Sequence, residues 1–227
     1  MVKVWRGRPP AELQANKQAW TDRWKRIRAG QEKGDWAPRA AAQLLKDSLR
    51  PLTHGKCVYC ESLLEVDAYL EIEHYVPKTL DEDQVFEWHN LFPACHMCNV
   101  KKGAKAPVSL IKPDVEDPEP YFEIDWGTGE LEPHPSLGAE ERRKAEKTIE
   151  LCGLQRGALC EKRYKLLLRL GRLLIRIAQA GSLDNLARQD LDDLLDPQTE
   201  HKLVVRLRLK QAGADDLVEE DRRRFRA

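Results

Sequence analysis

Two Cys-x-x-Cys pairs, Cys57/Cys60 and Cys95/Cys98, enclose the run Glu71-Ile72-Glu73-His74-Tyr75-Val76-Pro77-Lys78, with Asn90 and Asn99 further along. Four thiols in two such knuckles suit one structural zinc ion, which prefers tetrahedral thiolate sulfur. The stretch between the pairs exceeds the roughly 15–20 residues of a usual ribbon, leaving room for a strand pair and a loop. His96, inside the second pair, is a spare ligand that a complete set of four thiols leaves out. Zinc alone would be scaffolding. The chemistry is expected from the enclosed residues: His74, with an ordinary pKa near ~6.5, suits a general base for water. Glu73 and the side-chain oxygen of Asn99 are hard donors suited to Mg²⁺, which keeps several waters. Asn90 would hold His74 or the connecting loop by hydrogen bonds, and Lys101 and Lys102 would contact flanking phosphates. Phosphodiester hydrolysis needs a base, a nucleophilic water and positive charge on the phosphate oxygens. The set therefore points to a metal-dependent nuclease. A Glu-His pair standing alone on a strand would be surface polarity; its place between two knuckles favours the nuclease.

The elements that must position these groups follow from patterning. Pro9-Pro10 opens a helical stretch to about Ala29, with proline expected at the first helical position and Gly30 as the stop. Trp20, Trp24 and Ile27 recur at helical spacing and are expected to pack rather than stack on bases. A second helix runs from about Pro38 to Leu49. Tyr69–His74 alternates like a strand, and Asn99–Gly103 reads as a short helix closed by Gly103 and Pro107. Residues 110–120, rich in Pro and Asp, read as a surface linker. Tyr121–Trp126 and Gly127–Leu131 read as a hairpin with a glycine turn. Helical patterns follow over 139–151, 157–180, 182–195 and 198–211, with Ser182 and Asp196 as N-caps. Residues 215–227 read as a charged tail.

The chain has 227 residues, 33% of them charged, enough for one or two modest domains with a real core. No apolar run approaches the roughly 18 residues of a membrane span. The N-terminus lacks an apolar signal region, so a cytoplasmic location is expected. Six cysteines in such a chain argue for metal rather than disulfides. Cys152 and Cys160 fall in apolar helical patterns and read as core thiols. With 38 basic and 38 acidic residues the net charge is zero. Bulk charge thus gives no sign of a nucleic-acid partner, although residues 1–50 and 162–176 are locally basic and could attract phosphate.

The matched string is Cys57-Val-Tyr-Cys60, Glu73-His74-x-x-Pro77-Lys78, Asn90-Leu91-Phe92 and Cys95-x-x-Cys98-Asn99-x-x-Lys102-Gly103. In these residues the chain resembles the HNH, or ββα-metal, endonucleases whose finger is pinned by two knuckles. The resemblance implies His74 as general base, Asn90 as the family's middle Asn, and Asn99 where the last His usually lies. Asn there favours Mg²⁺ or Mn²⁺ over Zn²⁺ as the catalytic cation. Glu73 replaces the commoner Asp. Lys78, with Lys101 and Lys102, is expected to touch nucleic acid. Trp88-x-Asn90, Asp117-Pro118, the 121–130 hairpin and Ala145–Arg163 extend the likeness to the PtuB family, the HNH effectors of Septu and retron-associated anti-phage systems. That likeness covers roughly residues 1–165 and implies a PtuA-like ATPase partner.

The fold expected is α+β and predominantly helical, a small ββα-metal finger with a four-cysteine zinc site flanked by N- and C-terminal helices. Its parts would be an N-terminal helical segment (1–50), the nuclease core (51–110), a linker and hairpin (111–138), and a C-terminal helical region (139–227) that could dock a partner. The activity expected is hydrolysis of DNA as the effector of a defence complex. The alternatives are a zinc-knuckle binding module without cleavage and an HNH ribonuclease. A stand-alone restriction or homing enzyme is disfavoured, since no dedicated recognition helix is evident.

Overall fold

The computed structural model describes residues 1–64, 69–104, 110–180 and 184–226. The architecture is predominantly helical with two small antiparallel sheets. Helix α1 (Ala11–Arg28) and helix α2 (Arg39–Leu49) precede strand β1 (Leu70–His74). Strand β2 (Leu91–Cys95) and helix α3 (His96–Lys102) complete the ββα finger. Strands β3 (Phe122–Ile124) and β4 (Leu131–Pro133) form a second hairpin. Helices α4 (Ala139–Leu151), α5 (Gly157–Ala180), α6 (Asn185–Leu195), α7 (Lys202–Gln211) and α8 (Asp215–Arg226) follow. No helix among the described residues is long and apolar enough to cross a membrane.

In the finger, β1 pairs antiparallel with β2, Leu70 opposite Cys95 and His74 opposite Leu91. The pairing places the end of β1 at the start of β2 and sets the second knuckle at the far end, where Cys95 leads directly into α3. Val58 N–H donates to Pro93 O at 2.9 Å, tying the first knuckle to β2 at a residue that has no N–H of its own. The helix expected over 99–103 starts a turn earlier, at His96, so that Cys98 and Asn99 both sit on helical backbone. Pro107, expected to close it, lies outside the described residues.

At the N-terminus Pro10 is the N-cap of α1 rather than its first residue. Gly30, at φ 73°, ends the helix in the left-handed region that a glycine enters without strain. Trp20 and Trp24 pack with Trp36 on a core of Leu13, Leu45, Leu49, Phe86, Trp88 and Leu91, as packing residues do. Arg6 clamps this part to the finger. Its guanidinium pairs with Asp114 at 2.7 Å, donates to the carbonyls of Trp88 and Leu91, and lies over Phe92 with its Cζ 4.2 Å from the ring centroid.

Residues 110–120 are not a surface linker. Leu110 and Ile111 are buried, Ile111 N–H donates to Thr148 Oγ1 at 3.0 Å, and Glu119 is 1% exposed against Arg206, Lys210 and Arg222. Prolines prevent regular structure here, but ion pairs and apolar anchors order the segment. Neither expected cap holds. Ser182 lies outside the described residues and Asp184 caps α6, accepting from Ala187 N–H at 2.6 Å. Asp196 closes a turn on Gln198 N–H, and α7 starts only at Lys202. Gly129, at φ 74°, makes the hairpin turn against α5, where an added Cβ would fall 2.3 Å from the Cys160 carbonyl.

The residues read as a charged tail form α8, which buries Val218, Asp221 and Phe225. Asp221 is fully buried and meets both Lys202 and, at 2.7 Å, Arg206 of α7. The core cluster that holds Phe225 also takes in Val4, Cys60, Phe92, Phe122, Ala145, Leu159 and Val204, from every part of the chain. Removing one partner of a buried ion pair leaves the others uncompensated and costs about 3–5 kcal/mol. Asp221→Ala is therefore expected to lower unfolding free energy by about that amount in urea. A loss of under ~1 kcal/mol, the size of a surface pair, would show that this network does not hold α8 to α7.

Candidate active site and zinc cluster

The ligand sulfurs of Cys57, Cys60, Cys95 and Cys98 all lie within 4.8 Å of one another, and all four residues are buried. The Cys60 and Cys95 sulfurs are 3.7 Å apart. A tetrahedron with Zn–S bonds near 2.3 Å has edges of about 3.8 Å, so the cluster fits a zinc ion. His96 is not part of it: its Nδ1 meets Glu71 Oε1 at 2.7 Å on the outer face of the finger. Arg156, from the turn between α4 and α5, donates to Cys98 Sγ at 3.5 Å. Such a cation offsets the excess negative charge of a four-thiolate site. Nothing in the spacing of the sequence pointed to Arg156. Cys152 and Cys160 are buried and stand outside the cluster.

Glu73, His74 and Asn99, with Pro77, Lys78, Thr79, Gly103 and Ala104, line one cavity of about 190 Å³. Glu73, 2% exposed, accepts on Oε1 from Tyr59 Oη at 2.9 Å and pairs on the same oxygen with Lys102 Nζ at 2.6 Å. Burial pushes its carboxyl up even so. Lys102 also donates to the His74 carbonyl at 2.8 Å. This corrects the expectation for Lys102. It is completely buried and cannot touch a flanking phosphate, because its ammonium is the internal counter-ion of Glu73. Its neighbour Lys101 is exposed, with its stem against Gly153, and remains available for a phosphate.

His74 is 4% exposed and packs edge-on to Trp36, ring centroids 4.7 Å apart. Its Nε2 lies 3.0 Å from the Val85 carbonyl, which can only accept, so Nε2 carries the proton and Nδ1 holds the free lone pair. Burial, reinforced by Lys78 and Lys102, lowers its pKa to about 3, so the ring is neutral across the physiological range. Asn90 is a positioning residue. Its Oδ1 accepts from Val76 N–H at 2.6 Å, and its Nδ2 donates to Val76 O at 3.0 Å and Gln84 O at 2.8 Å. With both ends of the amide committed to backbone it has no group left for substrate, contrary to a direct catalytic part. It holds the loop whose next residue, Val85, orients His74.

Asn99 donates Nδ2–H to Glu71 Oε2 at 2.6 Å, a contact absent from the sequence reading. An Asn that gives its amide hydrogens to a carboxylate turns its carbonyl oxygen the other way, so Glu71 fixes which end of Asn99 is offered as a ligand. Glu71 and Glu73, two apart on β1, share a face of the strand. For a hard cation the fit is adequate. Among the described residues the second oxygen of Glu73 has no hydrogen-bond partner, Asn99 supplies an amide oxygen, and the cavity has room for several waters at roughly 30 Å³ each.

Residues 57–105 match the family model of the HNH endonucleases, so the chain carries an HNH domain over this stretch. The chain is similar to Septu protein PtuB of Bacillus thuringiensis, 38% identical over 85 residues, 35% of this chain and 32% of the relative. It is also similar to Septu protein PtuB of Bacillus mycoides (strain KBAB4), 32% identical over 154 residues, 53% of this chain and 50% of the relative. A third relative, an HNH protein of retron Vc95 from Vibrio cholerae, is 28% identical over 138 residues, 56% of this chain and 65% of its own length. The chain thus spans about a third and a half of the two Septu relatives it matches.

Two outcomes check this geometry. Purified protein should carry one zinc per chain by atomic absorption, and Cys57→Ser should lose it together with its near-ultraviolet circular dichroism; full zinc retention in the variant would remove Cys57 from the ligand set. Lys102→Met should cost about 3–5 kcal/mol in stability, whereas Lys101→Met should stay within about 0.5 kcal/mol. Equal effects in denaturant titrations would contradict the buried placement of Lys102.

Proposed function

We propose that the chain is a metal-dependent HNH endonuclease that hydrolyses phosphodiester bonds, with DNA as its substrate. It would act as the effector subunit of an anti-phage defence complex with a PtuA-like ATPase. The observation that supports it most is the convergence of a carboxylate, a neutral imidazole and an amide-bearing Asn on one small cavity beside a zinc-clamped knuckle. Glu73 and Asn99 would hold the catalytic Mg²⁺ or Mn²⁺, which supplies positive charge to the phosphate oxygens as they gain charge. His74 Nδ1 takes the proton of the attacking water, and Val85 O, bonded to Nε2–H, stabilises the imidazolium that results. Asn90 keeps that carbonyl in place. Lys78, at the mouth, holds the substrate phosphate, and Lys101 a flanking one.

The names of the Septu relatives support the defence role. In that assembly the finger, 51–110, is the catalytic unit and the helical region 139–227 docks the partner. Zero net charge supports dependence on that partner for tight binding to nucleic acid.

The test is nicking of plasmid DNA in Mg²⁺ or Mn²⁺, with and without the ATPase, and in parallel of labelled RNA. Loss of a general base slows cleavage about 10²–10⁴-fold, the drop expected for His74→Ala. Equal cutting by the variant would remove His74 as the base. Binding without cleavage under every divalent ion would leave a binding module, and cutting of RNA alone a ribonuclease.

A further inference from the structure

A second, larger cleft opens beside the catalytic cavity, about 500 Å³, between α2 and the finger. Lys78 and Asn99 line both, so the two adjoin at these side chains. The far wall is α2, which presents Arg39, Ala42 and Lys46 to the cleft. These are spaced i, i+3 and i+7 and therefore share one helix face. Trp36 forms the corner, with Lys78 Nζ 5.4 Å from its ring centroid.

The charges of this wall differ from those of the helix next to it. All five basic side chains of α1, Lys17, Arg23, Lys25, Arg26 and Arg28, are ion-paired with Glu87, Glu32, Asp83, Glu32 and Glu82. The basic charge of α1 is thus largely neutralised. Arg39 and Lys46 have no acidic partner among the described residues. Two acids also line the cleft. Glu71 has both oxygens engaged by His96 and Asn99, and Asp35 is exposed at the rim. Arg39 and Lys46 stand about 10 Å apart along the helix axis, at 1.5 Å per residue. That is about three base-pair steps of rise along a duplex axis, at 3.4 Å each.

We propose that this cleft is a phosphate-binding track that holds the nucleic-acid strand flanking the scissile bond, with Arg39 and Lys46 of α2 as its contacts. The proposal rests on the nuclease reading only for the position of the scissile phosphate. Binding of a polyanion follows from the wall itself: two unneutralised cations on one face, leading to Lys78 at the mouth of the catalytic cavity. Because the contacts are to backbone, the track selects charge spacing rather than sequence.

The experiment is equilibrium binding of a fluorescent 20-base-pair DNA duplex, and of its RNA counterpart, to the full zinc-loaded chain in Ca²⁺ across a salt series. Arg39→Ala/Lys46→Ala should weaken binding roughly tenfold and lower the slope of log affinity against log salt by about 1.8, two lost phosphate contacts at 0.9 each. Lys17→Ala, which removes a cation already paired with Glu87, should leave affinity unchanged, and circular dichroism melts should report all variants folded. Equal affinity and slope for the double variant, or no binding of wild type to either duplex at low salt, overturns the track. Nicking in Mg²⁺ separates the two claims. Track-dependent binding with no cutting, whether the ATPase is present or absent, keeps the cleft and removes the hydrolytic reading. Cutting by wild type and double variant with equal affinity does the reverse.

Discussion

A buried ammonium decides how this finger is built. Lys102 ends α3 and reaches back under β1, where it meets both the Glu73 carboxylate and the His74 carbonyl with no exposure to water. A charge in that position requires compensation, and Glu73 supplies it. Strand and helix are thereby locked at residues that line the cavity of Glu73, His74 and Asn99. Tyr59, from the first knuckle, bonds the same carboxylate oxygen and joins the zinc cluster to the site. The ion pair also leaves Glu73 presenting one oxygen outward rather than two, which suits a cation that keeps most of its own water.

The supports behind His74 are backbone groups held by side chains. Asn90 pins Gln84 O, the next carbonyl belongs to Val85, and that carbonyl fixes the imidazole tautomer. Arg6 in turn holds the turn that carries Asn90, through the carbonyls of Trp88 and Leu91. A chain of contacts thus runs from the N-terminal strap to the imidazole. Substitutions far from the cavity can therefore displace the His74 imidazole without lining the cavity themselves.

Charge is distributed by pairing as much as by composition. The basic residues of α1 are matched by acids from 32 and 82–87, and Lys202, Arg206, Lys210, Arg222 and Arg224 of α7 and α8 by Glu119, Asp192 and Asp221. On the α2 wall, Arg39 and Lys46 have no acidic partner among the described residues. Zero net charge overall is thus compatible with a locally cationic surface.

Much of the finger could be read from residue types. The thiol spacing located the four-cysteine cluster, alternation in Tyr69–His74 located β1 at Leu70–His74, and apolar periodicity placed α4 and α5 with their observed bounds. These signals are local: a knuckle, a period of two and a period near 3.6 are properties of short segments. The contacts of Lys102 with Glu73, Asn99 with Glu71 and Arg156 with Cys98 were not legible, because 28 to 58 residues separate the partners and only the folded chain brings them together. Lys101 and Lys102 show the difference most plainly, for they are chemically identical neighbours. Helix α8 was missed because a buried Asp221 interrupts its apolar face, and its counter-charges lie on α7. Sequence alone determined which groups could do chemistry. The tertiary structure decided which face water or substrate and which are internal counter-ions, since burial and pairing are set by the surroundings and not by the residue.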